Sequence, residues 1–192
     1  LEGDAHAAVG ERRDGVVGEG RAQEVATYSL ELLAVAAVGG GRAQIVAIDV
    51  AAPDRLAATY DVPAVGPHGL ALDPTTNSLL CACDDKKLVR LDATTGEVSA
   101  TVPLSGAPDV AFLNVARRHL YVASGDPGAL DVVDVDAMKL LQTVPTEKDA
   151  YTLAFDATRN KVYAFMPQTH RVAVFVDGPS PGLAFGASSS AR

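Results

Sequence analysis

Positive charge, long apolar runs and cysteine are all scarce in this sequence, and each shortage removes a class of protein. Sixteen Lys and Arg face 24 Asp and Glu, giving a net charge of −8 and a pI near 4.9. Non-specific nucleic-acid binding needs clustered Lys and Arg to neutralise phosphates. Here the basic residues are scattered without an aromatic stacking platform, so no nucleic-acid partner is expected. No apolar run approaches the roughly 18 residues that span a bilayer. The stretch Leu30 to Val38 is too short and contains Glu31. Residues 1–20 lack the basic start and apolar stretch of a secretory signal.

The two cysteines, Cys81 and Cys83, fall two apart on one predicted strand. Their side chains then share a face, about 7 Å apart along an extended chain, a poor geometry for an ordinary disulfide. No second Cys pair is present to complete a metal site, and the expected role is that of small apolar fillers between layers. Catalytic signatures are missing as well. Gly39-Gly40-Gly41 is not followed by the Gly-Lys-Ser/Thr of a phosphate loop, and no Gly-x-Ser-x-Gly elbow, His-Glu-x-x-His or EF-hand loop occurs. Asp131, Asp134 and Asp136 crowd one strand end without the Gly turn or terminal Glu of a calcium loop.

What the sequence does contain is a repeat. An aspartate ends an alternating strand at Asp49, Asp92, Asp134 and Asp177, in steps of 43, 42 and 43 residues. A second comb, Asp73, Asn114 and Asp156, runs in register with steps of 41 and 42. Units of this size built from short strands mark β-propeller blades, since helical repeats would show a 3.6-residue period. The predicted fold class is therefore all-β: blades of four antiparallel strands, about three to four in number. The first comb reads as structural, its carboxylates accepting backbone N–H groups in the turn after the third strand.

The clearest unit, His68 to Pro108, reads as HGLALD, SLLCAC, KLVRLD and EVSATVPL, separated by Pro74 to Asn77, Asp84 to Lys87 and Thr94 to Gly96. Asp109 to Ala150 repeats the plan. Residues 151–178 supply three strands, and Pro179-Ser180-Pro181 with the tail to Arg192 is expected to add no outer strand and to be flexible. Residues 27–67 fit as a degenerate blade, or alternatively Ala22 to Val38 forms a helix, being rich in Ala, Leu and Glu. Residues 1–26 carry almost no large apolar side chains and are expected to be disordered or non-native.

Leu120-Tyr121-Val122-Ala123-Ser124 resembles the Tyr-Val-Thr-Asn signature of the YVTN-type β-propeller repeat family, with Ala123 and Ser124 in place of Thr and Asn. Val162-Tyr163-Ala164-Phe165 is a looser version, and Leu80-Cys81-Ala82-Cys83 looser still. The phrase Gly66 to Pro74 is similar to first strands in these propellers and in their NHL and gluconolactonase-like relatives. The matches cover residues 43–178. The resemblance implies a propeller, periplasmic or secreted, and no particular reaction.

Propellers close with 4 to 8 blades, so two full units flanked by two partial ones imply an open arc. Such an arc is either a fragment of a longer propeller or a half-ring that pairs through exposed blade edges as a homodimer. In a propeller the first strand of each blade lines the axis, so His68, Asp109, Asp149 and Tyr151 are expected at a common mouth. Their identities change from blade to blade while scaffold positions repeat, the pattern expected of a binding site on a fixed frame. The expected function is a non-catalytic scaffold for a protein or small-molecule ligand, without a cofactor. The alternative implied by the gluconolactonase-like resemblance is a metal-dependent lactonase, with a divalent cation held in the channel. Its Asn and Glu ligands have no clear match: Asn114 ends a first strand away from the mouth, and Glu147 lies in a loop. His119, after Arg117-Arg118, and His170, in a hairpin, are expected at the surface.

Overall fold

The computed structural model describes residues 30–33, 43–49, 52, 54–178 and 183–185. Among them are fifteen strands and no helix, arranged as four antiparallel meanders. The first blade has three strands, β1 (Leu30–Leu33), β2 (Gln44–Asp49) and β3 (Leu56–Asp61). The second has four, β4 (Pro67–Asp73), β5 (Ser78–Cys83), β6 (Lys87–Asp92) and β7 (Val98–Pro103). The third comprises β8 (Ala107–Asn114), β9 (His119–Asp126), β10 (Ala129–Asp134) and β11 (Lys139–Pro145). The fourth comprises β12 (Leu153–Asp156), β13 (Lys161–Met166), β14 (Arg171–Asp177) and β15 (Leu183–Phe185).

The core lies between blades, which explains the strand patterns. In β5 every residue of SLLCAC is buried, because a strand covered on both faces reads as an apolar run instead of an alternation. One face of the second blade, with Leu79, Cys81, Val89 and Leu91, packs on Ile45, Ala47 and Tyr60 of the first. Its other face, with Leu80, Ala82, Leu88 and Val102, packs on Leu120, Val122, Val133 and Val135 of the third. The third blade then turns Tyr121, Ala123, Leu130 and Val132 toward Leu153, Val162, Ala164 and Phe175 of the fourth. Cys81 and Cys83 are free and fully buried at the first of these junctions, with Sγ atoms 3.8 Å apart. A hydrogen bond between the thiols and burial together push the Cys81 thiol far up from its ordinary value, so it stays protonated and inert.

The repeat extends to backbone details that no side-chain motif reveals. The pairing of third and outer strands shifts register at Ala47/Ile48, Arg90/Leu91 and Val132/Val133, equivalent places in three blades. A bulge there raises the local twist that fans the blades. Left-handed residues recur too: Asn77, Arg118 and Asn160 after the first strands; Lys86, Gly128 and His170 after the second; Gly96 and Met138 after the third. Gly96 is required twice over, by its φ of +73° and because a Cβ would enter the Tyr60 ring.

Two expectations about the ends of the arc are corrected. Leu30–Leu33 is a strand paired to β2 and not part of a helix; pairing along Val46–Asp49 outweighs the helix propensity of Leu and Glu. The fourth blade does have an outer strand, with Phe185 opposite Phe175 and Leu183 opposite Asp177. The prolines precede that strand in sequence and do not interrupt it, and three residues are too few to show an alternation. Residues 1–26 and most of 179–192 lie outside the described residues.

Candidate functional site at the channel mouth

His68 is the second residue of β4 and Asp109 the third of β8, so the two come from adjacent blades. Gly69 permits their approach. A Cβ there would stand 2.7 Å from the Asp109 carbonyl oxygen and force β4 and β8 apart. The His68 Nε2 is consequently 3.4 Å from Asp109 Oδ1, while its Nδ1 is 3.1 Å from Asp84 Oδ1. Tyr151, just before β12, belongs to the fourth blade; its ring lies where a side chain on Gly125 would sit. Together His68, Asp84, Ala107, Pro108, Asp109 and Tyr151 line an open cleft of about 300 Å³.

Of the four residues expected at the mouth, the structure gathers His68, Asp109 and Tyr151 and leaves Asp149 outside the lining. Asp149 is exposed, with φ +65°; its N–H donates to the Gly125 carbonyl and its carbonyl accepts from the Tyr151 N–H. It shapes the entry into the fourth blade, a conformation short polar side chains tolerate. Asp84 was expected only as part of a polar hairpin. The signal for its second role is register: Cys83 pairs with Pro67 and the Asp84 N–H donates to the Gly66 carbonyl, which brings the hairpin tip beside His68.

An imidazolium donates from both ring nitrogens, so a protonated His68 would satisfy one oxygen of each aspartate and leave the others facing solvent. Because the ring separates the carboxylates, the three groups do not converge on a point. Among the described residues no group of three or more His, Cys, Asp or Glu is placed to hold a metal ion. The side chains present therefore do not fit the divalent cation that a lactonase reading requires. What they can do is accept hydrogen bonds from a ligand and stack it on the Tyr151 ring.

The recurring aspartates divide into two kinds. Asp92 accepts the N–H groups of Thr94 and Thr95, and Asp134 those of Asp136 and Ala137. The bonds from Thr95 and Thr94 hold the Asp92 carboxyl below its ordinary range. The Asp49 side chain lies outside the described residues. Asp177 departs from the expected turn role. Ser78 pairs with Asp92 and His119 with Asp134, but Lys161 pairs with Val176, so Asp177 is one residue too far along. A one-residue offset turns a side chain to the opposite face, and Asp177 is buried against the third blade.

There its Oδ2 accepts from the Tyr121 hydroxyl at 2.5 Å and faces His119 Nδ1 at 2.9 Å. Asn114 Nδ2 in turn donates to the Tyr121 oxygen and to Asn160 Oδ1. His119 is thus not the surface residue expected; its side chain is only 15% exposed. Burial, followed by the bond to Asp177, pushes the Tyr121 phenol well above its ordinary value. At the preceding junction Arg118 reaches back to the buried Asp73 with two bonds, at 2.8 and 2.5 Å, and also pairs with Asp136. Burial would raise the Asp73 carboxyl, but bonds from Arg118, Thr76 and Thr75 outweigh it and bring it down to about 2.

No protein-family profile matches the chain, and no curated protein is similar to it. Solved structures are. Kuenenia stuttgartiensis hydrazine synthase superposes with a TM-score of 0.64 at 13% identity, over 76% of this chain and 44% of that one. Dihydro-heme d1 dehydrogenase NirN in complex with DHE superposes with a TM-score of 0.65 at 15% identity, over 82% of this chain and 34% of that one. Both are β-propeller proteins, and the chain described here is an unclosed, all-β propeller-type structure. It spans less than half the length of either structure.

Proposed function

We propose that the chain is a non-catalytic binding scaffold of the YVTN-like propeller type, working outside the cytoplasm as part of a larger propeller. The observation that carries this reading is the mouth cleft, where the starts of three successive blades bring His68, Asp109 and Tyr151 together. The frame repeats residue by residue, whereas these side chains do not, and a site grafted on a fixed fold has that form. Its free oxygens and aromatic ring suit a small ligand or peptide rich in hydrogen-bond donors.

Protein-observed NMR with a panel of small amines and amides tests the reading. Shifts should concentrate at the amides of Gly69, Asp109 and Tyr151 and vanish in Asp109→Asn. Shifts scattered over the blades, or unchanged by that substitution, would remove the cleft as the binding site. The lactonase alternative is favoured by no arrangement of donors among the described residues.

A further inference from the structure

Every junction in the arc joins two kinds of blade face. The forward face of one blade, exemplified by the equivalent residues Ile45, Leu88 and Leu130, meets the backward face of the next, exemplified by Leu79, Leu120 and Val162. The strand registers carry this equivalence through the second, third and fourth blades: Ala82 pairs with Leu88, Ala123 with Leu130, and Phe165 with Val172. In the third blade the forward residues Tyr121, Ala123, Leu130 and Val132 are fully buried under the fourth. Their counterparts Tyr163, Phe165, Val172 and Val174 are not, and Phe165 and Val172 remain 43% and 44% exposed. They form one patch, because Tyr163 also pairs with Val174. At the other end of the arc the first blade presents a backward face. Its Val46 and Ile48, equivalent to the buried Val89 and Leu91, are only half-buried.

We propose that the forward face of the fourth blade docks on the backward face of the first blade in a second copy of this chain, continuing the inter-blade packing across two molecules. The chain carries both halves of a junction that it already makes three times within itself, so one of its own faces is the surface that fits the patch. Joining unlike faces is a heterologous contact, which closes into a ring or extends into a fibre. Two copies bring together eight sheets, within the 4 to 8 blades of closed propellers.

Light scattering on the purified chain, with and without Val172→Glu or Val46→Glu, tests this. The wild type should show at least twice the monomer mass, and each variant alone should run as a monomer. An equimolar mixture should recover a dimer, because each variant retains the face that the other has lost. Phe165→Lys and Ile48→Lys repeat the test at neighbouring positions, with circular dichroism checking that strand content is retained. A wild type that is monomeric at all concentrations would overturn the proposal, leaving the face to a further blade or another protein. Continued association of Val46→Glu, or failure of the mixture to pair, would also overturn it, the former indicating contact between two fourth blades.

Discussion

The second and third junctions are built on the same positions yet differ in what fills them. Between the second and third blades the buried contact is mostly apolar, and Val135 stands where Asp177 stands one junction later. Polar groups there act singly: Arg118 spans to Asp73 and Asp136, and the buried Asp131 accepts from the Ser105 N–H and hydroxyl and from the Thr143 hydroxyl. Between the third and fourth blades a carboxylate, a phenol, an imidazole and two amides lie within the contact itself. An apolar junction tolerates repacking. A buried polar one must keep every partner, since an unpaired group costs its full desolvation. The one buried oxygen of this network without a partner, Asp177 Oδ1, marks where that junction is least secure.

The largest effect should come from what the two junctions share. Leu88→Ala and Leu130→Ala each empty a fully buried site, and each should cost about 2–5 kcal/mol in urea unfolding. A much smaller loss at Leu130 would show the third junction to be held by its polar network instead of by packing. Next is Arg118→Ala, which strands the buried Asp73 carboxylate. The expected loss is about 2–4 kcal/mol, less than for a fully buried pair because the guanidinium keeps some solvent. Asp73 is depressed in the folded state to about 2. Its contribution is therefore complete above the ordinary carboxylate range near 4 and fades as pH falls toward about 2. Wild type and variant should converge along that acid limb, and parallel curves would contradict the assignment.

Tyr121→Phe probes the third junction alone. Asp177 then loses its hydroxyl donor and keeps only His119, which should cost about 1–3 kcal/mol. Because the Tyr121 phenol is raised on folding, wild-type stability should fall as pH rises above about 10, where the unfolded chain ionises first. The variant should lack that share of the alkaline loss. Adding Asp177→Val, the residue of the second junction, should recover part of the cost, with a coupling energy of about 0.5–3 kcal/mol between the sites. Strict additivity would mean that the network is no unit.

How much of this was legible in the sequence follows from the same contrast. Positions where every blade does the same thing could be read, since a repeated Asp or alternating strand announces itself; the blade order and the neighbourhood of His68, Asp109 and Tyr151 follow from it. Asp177 could not be read, because a register offset in β14 keeps the sequence pattern while reversing the face. His119 looked solvated from its Arg-rich neighbours, and only the approach of the fourth blade buries it. Asp84 was hidden in a polar turn, since its place at the mouth depends on pairing across β4 and β5. β15 is held by pairing to β14, with too few residues to declare a pattern.

The smallest effect should follow from Asp92→Val. Blade four already carries Val176 at the equivalent turn position, so the fold accepts an apolar residue there. What the substitution removes is the carboxylate that receives the Thr94 and Thr95 amides. Those amides sit in an exposed turn where water replaces the lost acceptor, which keeps the penalty low. The urea midpoint should fall by less than for Arg118→Ala. The difference from wild type should shrink as pH drops, because the lowered Asp92 carboxyl stabilises the fold only while ionised. A loss as large as that of Tyr121→Phe would mean that the turn carboxylates bear the blade as much as the junctions do, and that the fourth blade, lacking one, is the weakest of the arc.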